Sequence, residues 1–371
     1  MGRGTRSLEG LAVMGIQEFY RQKKVLLTGH TGFKGSWLSL WLQKSGAQLT
    51  GVALAPDTDP NLFSLLSLTR DMRSEIADIR ELGRLQKIFA ESQPEIVIHN
   101  AAQPLVLRSY ADPVGTFETN VIGTANVLEA ARHTASVRAI VVVTTDKCYE
   151  NREWEYGYRE NDRLGGRDPY SSSKAAAEIV THSYRESFFQ RAGIGVATVR
   201  AGNVIGGGDW AEDRIVPDII RGLAKDGKVA LRQPHARRPW QHVLEPLRGY
   251  LMIGQRLYED GAAWAEAWNF GPRDESVVNV EELTRMAIER WGSGQIEILG
   301  AAGQQHEART LRLDCSKARE RLQWQPLFDL HESIATTVDW YKEVLPSRES
   351  ARDVTSRQID SYIARMHKIA P

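Results

Sequence analysis

From Val25 the chain reads Val-Leu-Leu-Thr-Gly-His-Thr-Gly-Phe-Lys-Gly-Ser, then stays apolar through Trp37, Leu38, Leu40, Trp41 and Leu42. Few folds accept that order. A short apolar run is a buried parallel strand, and the glycine turn leads it into an apolar helix. The glycines fall at Gly29, Gly32 and Gly35. Gly29 suits a tight turn, Gly32 lets the backbone approach a diphosphate, and Gly35 lets the helix pack close to the strand. Free N–H groups and the helix dipole make the helix N-terminus a seat for an anion. The spacing is G-x-x-G-x-x-G, not the commoner G-x-G-x-x-G. Alone, it is also compatible with an ordinary glycine-rich turn.

The rhythm continues downstream. Strands are expected over residues 48–55, 95–100, 139–143 and 195–200, with helices over 79–92, 116–133 and 170–189. Alternating strand and helix predicts an α/β, Rossmann-like, doubly wound parallel sheet. Beyond Arg200 the pattern breaks into a glycine loop at 206–210, a short helix at 215–223, a strand at 228–231 and a basic stretch at 232–238. A smaller C-terminal substrate lobe is expected there. The chain returns to the sheet near Val243 and Trp268, so the lobes interleave. The expected division is an N-terminal extension (1–20), a dinucleotide domain (21–200), the interleaved lobe (201–345) and a peripheral helix and tail (346–371).

Composition removes several classes of function. Forty-seven basic residues balance 47 acidic ones, so no global field draws the chain to nucleic acid or an anionic membrane. The run holding Arg232, Arg237 and Arg238 has no aromatic platform within it, which argues against a nucleic-acid binder. Two cysteines, Cys148 and Cys315, make no disulfide framework and fit a reducing cytoplasm. Cys148 reads as a small buried thiol at a strand end and not as a nucleophile. No apolar run reaches membrane length, and the one at 11–14 is too short for a signal peptide. No metal is expected.

Tyr170 and Lys174 stand four residues apart in Tyr-Ser-Ser-Ser-Lys, after a strand ending in Thr144-Thr145-Asp146-Lys147. Four residues is about one helical turn, so phenol and ammonium share a face. A tyrosine near pKa ~10 is a poor base at neutral pH. A neighbouring cation favours its phenolate.

With the glycine turn, Asn100-Ala101-Ala102, Asn120, the Thr-Thr-Asp strand end and Tyr170/Lys174 in order, the chain resembles the extended short-chain dehydrogenase/reductase family. The likeness runs over about residues 25–341. Within it, Thr145-Asp146-Lys147-Cys148-Tyr149-Glu150-Asn151 is similar to the nucleotide-sugar 4,6-dehydratases, with Lys147 where they usually carry glutamate. That lysine, the Gly29–Gly35 turn and Arg238-Pro239-Trp240-Gln241-His242-Val243 resemble the branch that acts on CDP-glucose. Epimerases of the family usually lack an acid directly after the threonine.

The resemblance implies NAD as cofactor, CDP-glucose as substrate and CDP-4-keto-6-deoxyglucose plus water as products, in deoxysugar and O-antigen biosynthesis. It implies a cofactor trough of Gly29, Thr31, Gly32, Phe33, Lys34, Gly35, Asp78, Ile79, Ala101, Ala102, Gln103, Asn120, Thr144, Tyr170 and Lys174. Thr145, Asn203, Arg214, Arg238 and His242 would hold the sugar nucleotide, Arg238 at a phosphate. Tyr170 would take the C4 hydroxyl proton, Thr145 would hydrogen-bond that oxygen, and Asp146 would protonate the leaving C6 hydroxyl. Lys147 would either take the C5 proton or stabilise the C4 enolate, with Lys174 a candidate for the cation that lowers its pKa. The second strand ends Leu54-Ala55-Pro56, without the acid that often grips NAD ribose hydroxyls, and Asp57 arrives late. No arginine adjoins that strand end to form a 2′-phosphate pocket. A homodimer or homotetramer is expected, paired through the helices at 116–133 and 170–189. The alternatives are a dehydratase of another nucleoside-diphosphate glucose, a nucleotide-sugar 4-epimerase, or a non-catalytic NAD-binding regulator.

Overall fold

The computed structural model describes residues 15–299 and 311–369; the run at 11–14 and most of the expected N-terminal extension lie outside them. Strands are numbered along the chain: β1 (Lys24–Thr28), β2 (Gln48–Ala53), β3 (Arg73–Ile76), β4 (Ile96–His99), β5 (Ala139–Val143), β6 (Gly195–Ala201), β7 (Asn203–Ile205), β8 (Lys228–Leu231), β9 (Arg237–His242), β10 (Ala267–Phe270), β11 (Val277–Asn279) and β12 (Gln295–Ile298). The main sheet has the order β10-β6-β5-β4-β1-β2-β3, and its pairings are parallel.

Two buried faces explain why these strands read as unbroken apolar runs. Val25, Leu27, Ile96, Ile98, Val141 and Val199 point to one side, into a core with the helices Phe33–Lys44 and Leu244–Glu259. Leu26, Val97, Ile140, Val142 and Val196 point to the other, against Leu82–Ser92 and Gly123–Arg132. Period-two alternation fills both faces of one sheet.

Some local expectations change. β3 is a polar edge strand, Arg-Ser-Glu-Ile, paired to β2 alone. Its Arg73 and Arg84 of the next helix share Glu75 at 2.8 and 2.7 Å, and Arg73 also pairs with Glu91. The helix expected from Ile79 begins at Leu82, because Asp78 accepts the Arg80 amide at 2.9 Å and makes a turn there. The helix expected over 116–133 is Pro113–Phe117, a π-helical segment Glu118–Ile122, and Gly123–Arg132.

Beyond β6, β7 and β11 flank β9 in a small sheet, and β8 pairs with β12. The C-terminal helix Ala351–Ile369 is more than peripheral: Val354, Thr355, Ile359 and Tyr362 are buried. Tyr362 donates to Glu245 at 2.7 Å and Trp340 donates to Thr355 at 2.8 Å.

Candidate active site

The strand order reverses between β1 and β4, and a crevice opens there at the carboxyl ends of the strands. Gly29 takes φ +76°, and a Cβ on it would lie 2.8 Å from the Ala101 backbone. A Cβ on Gly35 would lie 1.9 Å from the Gly29 carbonyl oxygen, so backbone packs directly on backbone. A Cβ on Gly32 would meet that oxygen at 3.6 Å and nothing nearer, leaving a groove in front of it. The helix Phe33–Lys44 starts there with no side-chain cap, its first N–H groups free for an anion.

A fixed chain of hydrogen bonds braces the crevice. Thr28 Oγ1 accepts from the Asn100 and Ala101 amides at 3.1 and 3.0 Å. Both its lone pairs are then used, so it donates to His99 Nδ1 at 2.7 Å. His99 therefore carries its proton on Nε2, 3.0 Å from Thr124 Oγ1. Thr124 in turn donates to the Asn120 carbonyl at 2.7 Å. Burial pushes the His99 pKa down to about 3 and keeps the ring neutral.

Asn120 sits in the π segment, a distortion often found at functional sites. Its Oδ1 accepts from the Gln103 amide at 2.8 Å, and its Nδ2 donates to Ser173 Oγ at 2.8 Å. It thereby ties the trough after β4 to the helix Pro169–Tyr184. That helix starts with Pro at its first position and Asp168 as cap, accepting from the Ser171 amide at 2.9 Å.

Tyr170, Thr145 and Asp146 meet where this helix passes the end of β5. Thr145 Oγ1 donates to Asp146 Oδ1 at 2.9 Å, and the Thr145 hydroxyl favours the Tyr170 phenolate. Burial lifts the Asp146 carboxyl above the usual range, opposed by the charges of Lys147, Arg238 and Lys34. Burial also pushes Tyr170 up to about 12, with Arg214 the cation that favours its phenolate. The Tyr-x-x-x-Lys spacing points to Lys174 for that task. In the structure the Lys174 Nζ donates to the Val143 carbonyl at 3.2 Å. Burial, then the charge of Lys34, lowers Lys174 to about 8. Lys34 is likewise lowered to about 8, by burial and by Arg214. The cation beside Lys174 is thus Lys34, whereas Lys147 acts on Asp146.

One element of the site was missed from sequence. Glu178 lies four residues after Lys174 on the same buried stripe. Its Oε1 accepts from Thr144 Oγ1 at 2.5 Å and Arg200 Nε at 2.9 Å. Its Oε2 accepts from Thr198 Oγ1 at 2.6 Å and Arg200 Nη2 at 2.8 Å. Arg200 Nη1 donates to Tyr149 Oη at 2.7 Å. The pair therefore joins the Tyr170 helix, β6 and the segment carrying Asp146. An acid one turn beyond Lys174 was the available signal. Arg200→Met should cost about 3–5 kcal/mol in urea unfolding, because it strands a buried carboxylate. Glu178→Leu combined with Arg200→Met should recover most of that loss.

Other expected site residues divide. Asn203 on β7 and Arg238 on β9 are half-buried on neighbouring strands, and Arg238 acts electrostatically on Asp146. Arg214 is held by Asp209 at 2.9 Å, and Asp57 acts on it across the crevice. Thr31 donates to the Leu54 carbonyl at 2.9 Å, and Phe33 packs near Gly206. Asp78 binds Arg80 at 2.7 Å, and Ile79 packs on Gly123. His242 is a correction. Expected at the substrate, it is fully buried with its ring between Trp37 and Phe328. Strand alternation puts it and Trp240 on the core face of β9.

The sequence model for GDP-mannose 4,6 dehydratase matches residues 26–337. The chain belongs to that family. Its members here fall within the extended short-chain dehydrogenase/reductases. The chain is 48% identical to CDP-glucose 4,6-dehydratase of Salmonella typhimurium over 94% of its length and 98% of the relative's. It is 31% identical to dTDP-glucose 4,6-dehydratase of Streptomyces antibioticus, over 72% of this chain and 75% of that one. The solved structure of MoeE5 in complex with UDP-glucose and NAD superposes with a TM-score of 0.73 at 25% identity, covering 86% of this chain and 99% of that one. The chain itself pairs a glycine-turn crevice with a Tyr-x-x-x-Lys helix.

Proposed function

We propose that this protein is an NAD-dependent nucleotide-sugar 4,6-dehydratase that converts CDP-glucose to CDP-4-keto-6-deoxyglucose and water. The observation that carries the reaction type is Asp146, a buried carboxyl with a raised pKa held beside Tyr170. A 4-epimerase needs no proton donor there, but expelling a hydroxyl does. Identity of 48% along nearly the whole chain supports the cytidine nucleotide.

The crevice suits NAD: open groove at Gly32, uncapped helix above it, and the Gln103 and Lys174 groups beyond. Arg80, beside Asp78, is paired with Asp78 and Glu118 at 2.7 and 3.1 Å and so is not free for a 2′-phosphate. Bound NAD would supply the acceptor that takes hydrogen with its electron pair from C4 and delivers it to C6. Tyr170 accepts the C4 hydroxyl proton, and Thr145 holds that oxygen. The C4 ketone acidifies C5–H. Asp146 then protonates the C6 hydroxyl as its bond to carbon breaks. Arg238 and Arg214 suit the diphosphate, their planar forks matching phosphate oxygens.

A panel of nucleoside-diphosphate glucoses incubated with protein and NAD⁺, read by product mass, tests the proposal. Loss of one water from the CDP compound is expected; an epimer of unchanged mass would refute it. Lys147 is assigned the C5 proton. Lys147→Ala should still oxidise C4 but fail to exchange C5–H with D₂O, slowing turnover about 10²-fold. Normal exchange would leave it only the electrostatic role.

Two copies pairing through the helices at 113–132 and 169–184 also fit, because Val114, Phe117, Ile122 and Ile179 stand exposed there. Among the described residues no helix is long and apolar enough to cross a membrane. Free Cys148 and Cys315 suit the reducing cytoplasm.

A further inference from the structure

The dehydratase reading, on which this inference rests, needs Asp146 to give a proton to the departing C6 oxygen. One hydrogen bond tells which of its two oxygens does so. Thr145 Oγ1 donates to Oδ1 at 2.9 Å, so Oδ1 is the accepting oxygen and the neutral acid carries its proton on Oδ2. Burial favours that neutral form. What stands against Oδ2 therefore decides whether the proton is delivered.

The neighbour is Gly202, the single residue between β6 and β7. Chain neighbours apart, the three atoms nearest a Cβ built on it are Asp146 Oδ2 at 3.1 Å, Pro239 Cγ at 3.5 Å and Asp146 Cγ at 3.7 Å. None is backbone. Gly29 and Gly35 are different, because there backbone meets backbone. Nor does conformation call for glycine at 202, since its φ is not in the left-handed region. What the position lacks is only a side chain, and the group that side chain would press on is the acid.

The surroundings leave little room to yield. Pro239 is a buried ring on β9, the middle strand of the small sheet, paired with Val277 of β11. Asn203, next to Gly202, pairs with Trp240 on the same strand. Asp146 is 3% exposed and tethered through Oδ1. The easiest adjustment to a larger residue is for the carboxyl to turn, which moves Oδ2.

We propose that Gly202 is a specificity-determining residue: by presenting no side chain, it leaves Asp146 Oδ2 open to the C6 oxygen and so permits elimination. In that step the C5–H electron pair becomes the C5–C6 double bond and the C6–O bond breaks. The departing oxygen takes the Oδ2 proton and leaves as water, while the C5 proton passes to the base. C4 oxidation precedes this and uses Tyr170, which is not among the atoms nearest Gly202.

The test follows the two steps separately in wild type, Gly202→Ala and Gly202→Val, each mixed with NAD⁺ and CDP-glucose. Reduced-nicotinamide absorbance reads C4 oxidation, and product mass at quenched times reads loss of water. Gly202→Val should slow water loss about 10²-fold while oxidation stays within about threefold of wild type, so that reduced nicotinamide accumulates. Gly202→Ala adds one carbon and decides the matter if the valine variant does not fold; it should slow water loss about tenfold. Placed on top of Asp146→Asn, Gly202→Ala should slow water loss by less than about twofold more, because the proton it obstructs is already gone. Water loss at the wild-type rate in Gly202→Ala, equal slowing of both steps, or the full extra loss in the double variant would overturn the proposal and leave the dehydratase reading intact. A wild-type protein that dehydrates no nucleoside-diphosphate glucose would overturn that reading instead.

Discussion

Tyr170→Phe should fold normally and bind its ligands, yet oxidise C4 about 10²–10⁴-fold more slowly. The change removes one oxygen from a side chain that is 8% exposed and leaves the ring to fill its place. The helix beneath stays anchored by its Asp168 cap, the Asn120–Ser173 bond and the Glu178–Arg200 pair. What is lost is the acceptor for the C4 hydroxyl proton. Reduced-nicotinamide absorbance should therefore not rise on mixing with substrate, and no dehydrated product should form at the normal rate. Oxidation within a few-fold of wild type would place the base elsewhere.

Asp146→Asn separates the second step from the first. Because burial favours the neutral acid, an amide matches both the shape and the charge of the working group. Thr145 can still donate to the amide oxygen. Only the transferable proton disappears. C4 oxidation should proceed, reduced nicotinamide should accumulate on the protein, and release of water should slow about 10²–10⁴-fold. Absorbance of the reduced cofactor together with product mass distinguishes the stages. Wild-type turnover by this variant would remove Asp146 from the scheme.

Much of this was legible because some residues announce their geometry. Val25 to Leu27 and Ala139 to Val143 are continuous apolar runs, which only a sheet covered on both faces explains. Gly29 and Gly35 stand where backbone meets backbone. Tyr170 and Lys174 are one turn apart, so their shared face follows from helix geometry alone. The rest depended on contacts between distant segments. Glu178 looks like any helical acid until Arg200, 22 residues on, folds beneath it. The roles of Lys34 and Arg214 beside Lys174 and Tyr170 arise only when the N-terminal turns of three helices, Phe33–Lys44, Pro169–Tyr184 and Ile215–Lys225, converge. His242 misled because its motif was matched by resemblance, although alternation in β9 turns every second side chain into the core.

β3 was overlooked for a related reason, since charge hides a strand from any search for apolar runs. That same charge guards the open margin of the seven-stranded sheet. A bare strand edge offers unpaired amides and carbonyls to any passing chain. Arg73, Glu75, Arg84 and Glu91 make that margin costly to approach, and concentrated salt that screens them should turn it into a template for aggregation.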